Sequence, residues 1–309
     1  MKKFAKGCLI TALSMLAIGF IILIIYIIIG GTTFFHLLRT EAAKHEHLAS
    51  FWSNAAIKLN DGEFHIDFSN QHPIYSGEHE NMQIANASSI KDLNIDLGGV
   101  MCTLSESSDE YFHIITKNAD EFQYYIENET LYIKGLNDIT FGQHLVDYNE
   151  VYLEVPKNFS FEDIDLEVGA GCLNAHTLTA SDTISIKVGA GEFIADSLTA
   201  QTLSLEAGAG DIEINNADVS DSCIALGMGS IAYNGIISGD LEAECGMGAL
   251  ELFLLDSYDA HNYNVDCTLG EIKINNTNFN TFAHSTNIDH GTDSTYTLTC
   301  GMGNINIQF

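Results

Sequence analysis

Apolar and polar residues alternate one for one through the second half of the chain, and the alternation slips by one place at each glycine-containing triplet. Leu203, Leu205, Ala207 and Ala209 alternate with Ser204, Glu206 and Gly208, after which Ile212 and Ile214 resume in the other phase. Ile184, Ile186, Val188 and Ala190 with Phe193 and Ala195 repeat this, as do Tyr296, Leu298, Cys300 and Met302 with Ile305 and Ile307. A period of two marks a strand with one buried face. The slip marks a corner, where glycine is expected because it reaches positive φ without strain.

The corners recur. Gly169-Ala170-Gly171, Gly189-Ala190-Gly191, Gly208-Ala209-Gly210, Gly227-Met228-Gly229 and Gly246-Met247-Gly248 start 20, 19, 19 and 19 residues apart. Thr268-Leu269-Gly270 and Gly301-Met302-Gly303 follow after steps of 22 and 33, and an early copy, Leu97-Gly98-Gly99, precedes the array. Strand, corner, second strand and short polar turn make one coil of a repeat that cannot bury its inner face alone, so coils stack at ~4.8 Å. The expected fold is all-β: a single-stranded right-handed β-solenoid with 19–20-residue coils, regular from about residue 162, preceded by one N-terminal transmembrane helix.

With coils stacked in chain order, outward positions fall into columns. Glu167, Lys187, Glu206, Ala225, Glu244, Asp266 and Thr299 form one, with Lys187 between two glutamates, and Glu251 is expected beside Lys273. Such cross-strand pairs add about 0.2–1 kcal/mol each. Ile305, Ile307 and Phe309 are expected to be the last strand, an open edge able to self-associate or to accept a partner's strand. The polar insertion over residues 275–294, which carries Phe279 and Phe282, is expected to fold over the terminal coils as a partial cap.

The beginning of the chain reads differently. No Asp, Glu, Lys or Arg occurs from Gly7 to Leu38, and Cys8 to Ile29 is almost wholly apolar. About 20 such residues cross a ~30 Å hydrocarbon core as a helix, and no small-x-small cleavage site follows. Lys2, Lys3 and Lys6 precede the span, so the N-terminus is expected in the cytoplasm and the rest of the chain outside the cell membrane. The expected division is a cytoplasmic tip and anchor over 1–31, a juxtamembrane helix (to about 60) and connector over 32–90, and the solenoid over 91–309.

Charge narrows the partners. Beyond the span lie nine of the 12 basic residues and all 42 acidic ones, a balance of −33. Nucleic acid and anionic lipid are poor partners for such a surface, whereas a basic envelope polymer, a cationic ligand or a membrane protein fits.

Candidate chemistry adds no catalytic, cofactor-binding or metal residue. Cys245, Cys267 and Cys300 share one inward column, and cysteine there acts as a small buried apolar residue. His45-Glu46-His47 lies in the stalk without a metal-ligand frame. A calcium β-roll needs a carboxylate at one offset in every coil, but Cys172, Glu192, Asp211, Ser230, Ala249, Glu271 and Asn304 stand there. Walker loops, Gly-x-Ser-x-Gly elbows and Cys-x-x-Cys pairs are absent.

Leu131-Tyr132-Ile133, then Val151-Tyr152-Leu153-Glu154-Val155-Pro156, then tandem coils with Gly-x-Gly corners resemble the bacterial putative-adhesin domain family of unknown function over residues 90–309. The resemblance implies a membrane-anchored cell-envelope module without catalysis, binding or scaffolding in an adhesin-like way. The alternative it implies is a sensory or regulatory subunit of an envelope-stress system acting through a membrane partner.

Overall fold

The computed structural model of the chain describes residues 56–60, 63–67, 72–73, 75–135, 150–279 and 284–309. The membrane span expected over residues 8–29, the histidines at 45 and 47, and most of the juxtamembrane helix lie outside them. Among the described residues no helix is long and apolar enough to cross a membrane. Ala56–Asn60, at the end of the stretch expected to be helical, is a strand paired antiparallel with Glu63–Asp67.

From residue 72 onward the described chain is all-β, and most of its strands form nine two-stranded coils. Coil 1 is Asp92–Leu97 with Met101–Glu106, and coil 2 is Thr130–Gly135 with Glu150–Val155. Coil 3 runs from Phe161–Val168 through its corner into Cys172–Val188, whose end opens coil 4. Glu192–Ala207 and Asp211–Leu226 likewise each close one coil and open the next, giving coils 4, 5 and 6, the last finished by Ser230–Ile237. Coil 7 is Leu241–Cys245 with Ala249–Leu254, coil 8 is Asn262–Cys267 with Glu271–Ile274, and coil 9 is Thr295–Cys300 with Asn304–Gln308.

Neighbouring coils pair in parallel, but the stack does not follow the chain at either end. Coil 1 pairs on one side with coil 2 (Ile95 opposite Ile133, Cys102 opposite Val151) and on the other with coil 3 (Ile95 opposite Leu166, Cys102 opposite Leu173). At the far end, coil 7 pairs with coil 9 (Ala243 opposite Leu298, Leu252 opposite Ile307), and coil 9 then pairs with coil 8 (Leu298 opposite Val265, Ile307 opposite Ile274). The order through the stack is therefore 2-1-3-4-5-6-7-9-8.

This order corrects the expectation that the last strand is an open edge. Asn304–Gln308 is paired on both sides, and coil 8 is outermost. The insertion lies over coil 8: Thr277–Asn278 adds antiparallel to Lys273 and Ile274, and His284–Ile288 adds antiparallel to Asn262–Cys267. Phe279 is buried in the core cluster, so this part of the expected cap is present; Phe282 lies outside the described residues. At the other end the 17-residue strand Tyr111–Glu127 crosses both strands of coil 2 antiparallel, and Tyr75–Asn86, in the expected connector, pairs with it in turn. Antiparallel cover at both ends occupies amides that would otherwise recruit strands.

The inward columns are those of the sequence pattern. Leu203, Leu205, Ala207, Ile212 and Ile214 are at most 2% exposed. Removing each such Leu or Ile side chain from water contributes about 1.5–3 kcal/mol. Two details differ from the sequence reading. What reads as a polar turn continues as strand, because Leu178 with Ala180, Leu198 with Ala200, and Ala217 with Val219 point inward there as well. The corner glycines also do not use the left-handed region; positive φ among described glycines occurs only at Gly235 and Gly291. Glycine is required by close approach: a Cβ on Gly189 would sit 2.8 Å from the Gly169 carbonyl oxygen, and one on Gly301 would sit 2.9 Å from that of Gly246.

Candidate functional site

The corners form one continuous edge. At each, the middle residue's amide donates to the first glycine's carbonyl one coil back in the stack: Met228 to Gly208 at 2.7 Å, Met247 to Gly227 at 2.8 Å, Met302 to Gly246 at 2.7 Å and Leu269 to Gly301 at 2.8 Å. The backbone is thereby held, and the middle side chain faces solvent. The alternation had placed Ala190, Ala209 and Met302 on the inner face, but the bend turns all three outward. In stack order the middle residues are Ala170, Ala190 and Ala209, then Met228, Met247, Met302 and Leu269.

The last four form an apolar ridge. Met228, Met247, Met302 and Leu269 are 61%, 54%, 60% and 61% exposed, although each is a large apolar side chain. At ~4.8 Å per coil the ridge is about 14 Å long. Exposed apolar side chains in a row are unusual on a protein surface, and methionine is flexible and polarisable. Placing coil 9 between coils 7 and 8 sets Met302 beside Met247 and Leu269 at the outer end of the ridge, where chain order would set Leu269 beside Met247.

Carboxylates flank the ridge. Glu242, Glu244 and Asp266 on the strand before the corner and Glu251 on the strand after it are exposed, with Glu271 half-buried. Lys273 is the one basic side chain on these strands of coils 7, 9 and 8. It does not adjoin Glu251 as expected, because Asn306 of coil 9 stands between them. The other outward column holds as read: Lys187 lies between Glu167 and Glu206. Lys134 and Asp96 extend it at one end, and Thr299 precedes Asp266 at the other.

The cysteine column has no reactive character. Cys245, Cys267 and Cys300 are free and at most 2% exposed. Burial pushes the Cys300 thiol up to about 11 and that of Cys245 upward as well. Burial likewise pushes Cys102, an inward residue of coil 1, up to about 12. A thiol so held is neither nucleophile nor ready metal ligand. No group of His, Cys, Asp and Glu able to hold a metal ion occurs among the described residues.

One arrangement that sequence spacing does not reveal lies beside coils 7 and 9. His261, 1% exposed, places Nε2 2.5 Å from Asp256 Oδ2 and Nδ1 2.6 Å from Ser294 Oγ, with its ring stacked on Tyr296 at 4.0 Å. The order Asp-His-Ser suggests an activated hydroxyl, but Ser294 Oγ also bonds the Gly239 carbonyl oxygen, which can only accept. The serine has a single proton and two acceptors within reach, so its hydroxyl is tied to the Gly239 backbone as well as to the ring. The trio fastens the 256–261 and 290–294 segments to the stack. A shallow depression of about 410 Å³, lined by Lys273, Asn275, Asn276, Gln308 and Phe309, lies at the outer end and is open to solvent.

A capped stack of parallel coils with Gly-x-Gly corners defines an all-β, solenoid-like module that presents columns of side chains. The chain belongs to the Toastrack DUF4097 family, which matches it over residues 90–295. Among solved structures it is similar to a putative cell adhesion protein from Clostridium sporogenes, with 14% identity, TM-score 0.34, and 76% of this chain and 99% of that one covered. It is similar to a putative adhesin from Bacteroides fragilis, with 10% identity, TM-score 0.37 and coverage of 77% and 97%. It is also similar to a putative lipid binding protein from Parabacteroides distasonis, with 15% identity, TM-score 0.39 and coverage of 74% and 96%. No curated protein matches it in sequence.

Proposed function

We propose that this protein is a membrane-anchored, extracytoplasmic, adhesin-like binding module that performs no catalysis, and that the Met228–Met247–Met302–Leu269 edge is its contact surface. The observation that carries the reading is the exposure of these four residues, 54–61% each, on a domain whose other large apolar side chains are mostly buried. Family membership and the uncharged, almost wholly apolar stretch from Cys8 to Ile29 support it. The non-catalytic part of the reading is supported by the tie of Ser294 Oγ to the Gly239 carbonyl and by the burial of Cys245, Cys267 and Cys300.

Location is tested by fusing alkaline phosphatase or β-galactosidase to the C-terminus of the full chain in a bacterial host. An active phosphatase and inactive galactosidase, with the protein retained in carbonate-washed membranes, are expected. The opposite activities would place the domain in the cytoplasm and end the reading.

A further inference from the structure

We propose that the ridge of Met228, Met247, Met302 and Leu269 docks a basic amphipathic helix of a partner peptide or protein, an inference that rests on the binding-module reading above. Spacing is the first argument. The ridge offers one apolar side chain per coil at ~4.8 Å, and a helix lying along it advances 5.4 Å per turn. Over the three intervals the two repeats drift by only about 2 Å, so one apolar side chain per turn can sit in each gap between ridge residues. An extended peptide repeats every second residue at about 6.6–6.8 Å and loses register within two coils. A ridge of about 14 Å corresponds to roughly ten helical residues.

Charge is the second argument. Glu242, Glu244 and Asp266 on one side and Glu251 and Glu271 on the other outnumber Lys273 five to one along the coils that carry the ridge. A helix whose apolar stripe meets the methionines places the residues bordering that stripe over these two flanks, where Lys and Arg are attracted and Glu and Asp repelled. The same charges oppose the other occupants. A second copy brings another −30, and an anionic membrane surface meets carboxylates on both sides of the ridge.

The fold supplies its own controls. Ala170, Ala190 and Ala209 occupy the same corner position in coils 3, 4 and 5, so alanine is compatible with the corner, and methionine at these sites would lengthen the ridge.

The test uses the full-length chain in nanodiscs of zwitterionic lipid, with empty nanodiscs as blank. The probe is a fluorescein-labelled 14-residue helical peptide of Leu and Lys with Leu on one face, read by fluorescence anisotropy. Wild type should bind it, and M228A/M247A/M302A/L269A should bind at least tenfold more weakly at an unchanged melting temperature. A Leu/Glu peptide of the same pattern should not bind. A170M/A190M/A209M should bind a 24-residue Leu/Lys peptide more tightly than wild type does. Four results would overturn the inference: equal binding by the alanine variant, equal binding of the Leu/Glu peptide, ridge-dependent dimers in mass photometry without peptide, or ridge-dependent binding of zwitterionic vesicles instead of peptide. Each leaves the location test unaffected, so failure of the partner and failure of the broader reading are separable.

Discussion

Cys245 stands directly opposite Cys300, 55 positions later in the chain, and it is Cys300 that meets Cys267 on its other side. The sulfurs pack against the corner of the next coil: a Cβ on Gly303 would lie 2.6 Å from Cys245 Sγ, and one on Gly270 would lie 2.6 Å from Cys300 Sγ. Val188 makes the same contact with Gly210 in an earlier coil, so the column accepts any compact apolar side chain. These three thiols should resist alkylation in the folded protein and react on unfolding, as read by mass spectrometry of iodoacetamide-treated samples. Modification of Cys300 under native conditions would show that the column is open.

The inward and outward registers predict unequal costs at neighbouring positions. Leu205 is 1% exposed and Glu206 is exposed. Leu205→Ala should cost about 2–5 kcal/mol, and Leu205→Asp should unfold the array by burying a charge without a partner. Glu206→Ser should change stability by less than about 1 kcal/mol. Denaturant melts giving equal losses at both sites would mean the register is wrong.

Corner glycines should be intolerant for a steric reason alone. Gly189→Ala drives a methyl group against the Gly169 carbonyl and should cost about 1–3 kcal/mol, whereas Ala190→Met, one residue away and facing solvent, should be close to neutral. Thermal melts of the two variants check this, and equal stability would mean that position 189 has room for a side chain.

Glu167 predicts a pH effect. Loss of solvent between the columns holds its carboxyl above the ordinary value of 4.5, and the charge of Asp96 adds to this, while Lys187 opposes it. A carboxyl raised in the folded state favours folding when protonated, and that contribution is lost as pH rises through the folded value. Glu167→Gln should therefore match wild type near pH 3.5 and exceed it at pH 7 in urea melts. A variant less stable than wild type at pH 7 would mean that the attraction of Lys187 outweighs the desolvation.

Much of this architecture was legible because period two and period 19 are both written in side-chain hydrophobicity. The Lys187 column and the inward cysteines followed directly from them. The order of coils 1 and 2, and of 8 and 9, was not legible, since swapping two coils of the same pattern leaves every residue on its own face and changes only its neighbours. Hence Glu251 was set beside Lys273, and Ile305 and Ile307 at an open edge. The ridge was missed because alternation counted Met302 as inward, although the change from Gly-Ala-Gly to Gly-Met-Gly at Gly227 is visible and an inward column would not need so abrupt a change of size. Asp256, His261 and Ser294 meet only through loops between coils, for which spacing carries no signal.

The order of residues along the ridge and the cover of the last strand both depend on coil 9 lying between coils 7 and 8, and disulfide trapping tests that placement directly. Adjacent coils bring paired Cα atoms to ~4.8 Å, inside the disulfide range of about 4.4–6.8 Å, whereas residues two coils apart stand near 9.6 Å, outside it. Glu251→Cys with Asn306→Cys, and Asn306→Cys with Lys273→Cys, should cross-link on mild oxidation of the folded chain, as identified by non-reducing peptide mass spectrometry. Glu251→Cys with Lys273→Cys should not. A cross-link between 251 and 273, with none from either to 306, would restore chain order to the stack, put Leu269 rather than Met302 beside Met247 and return the last strand to the outer edge.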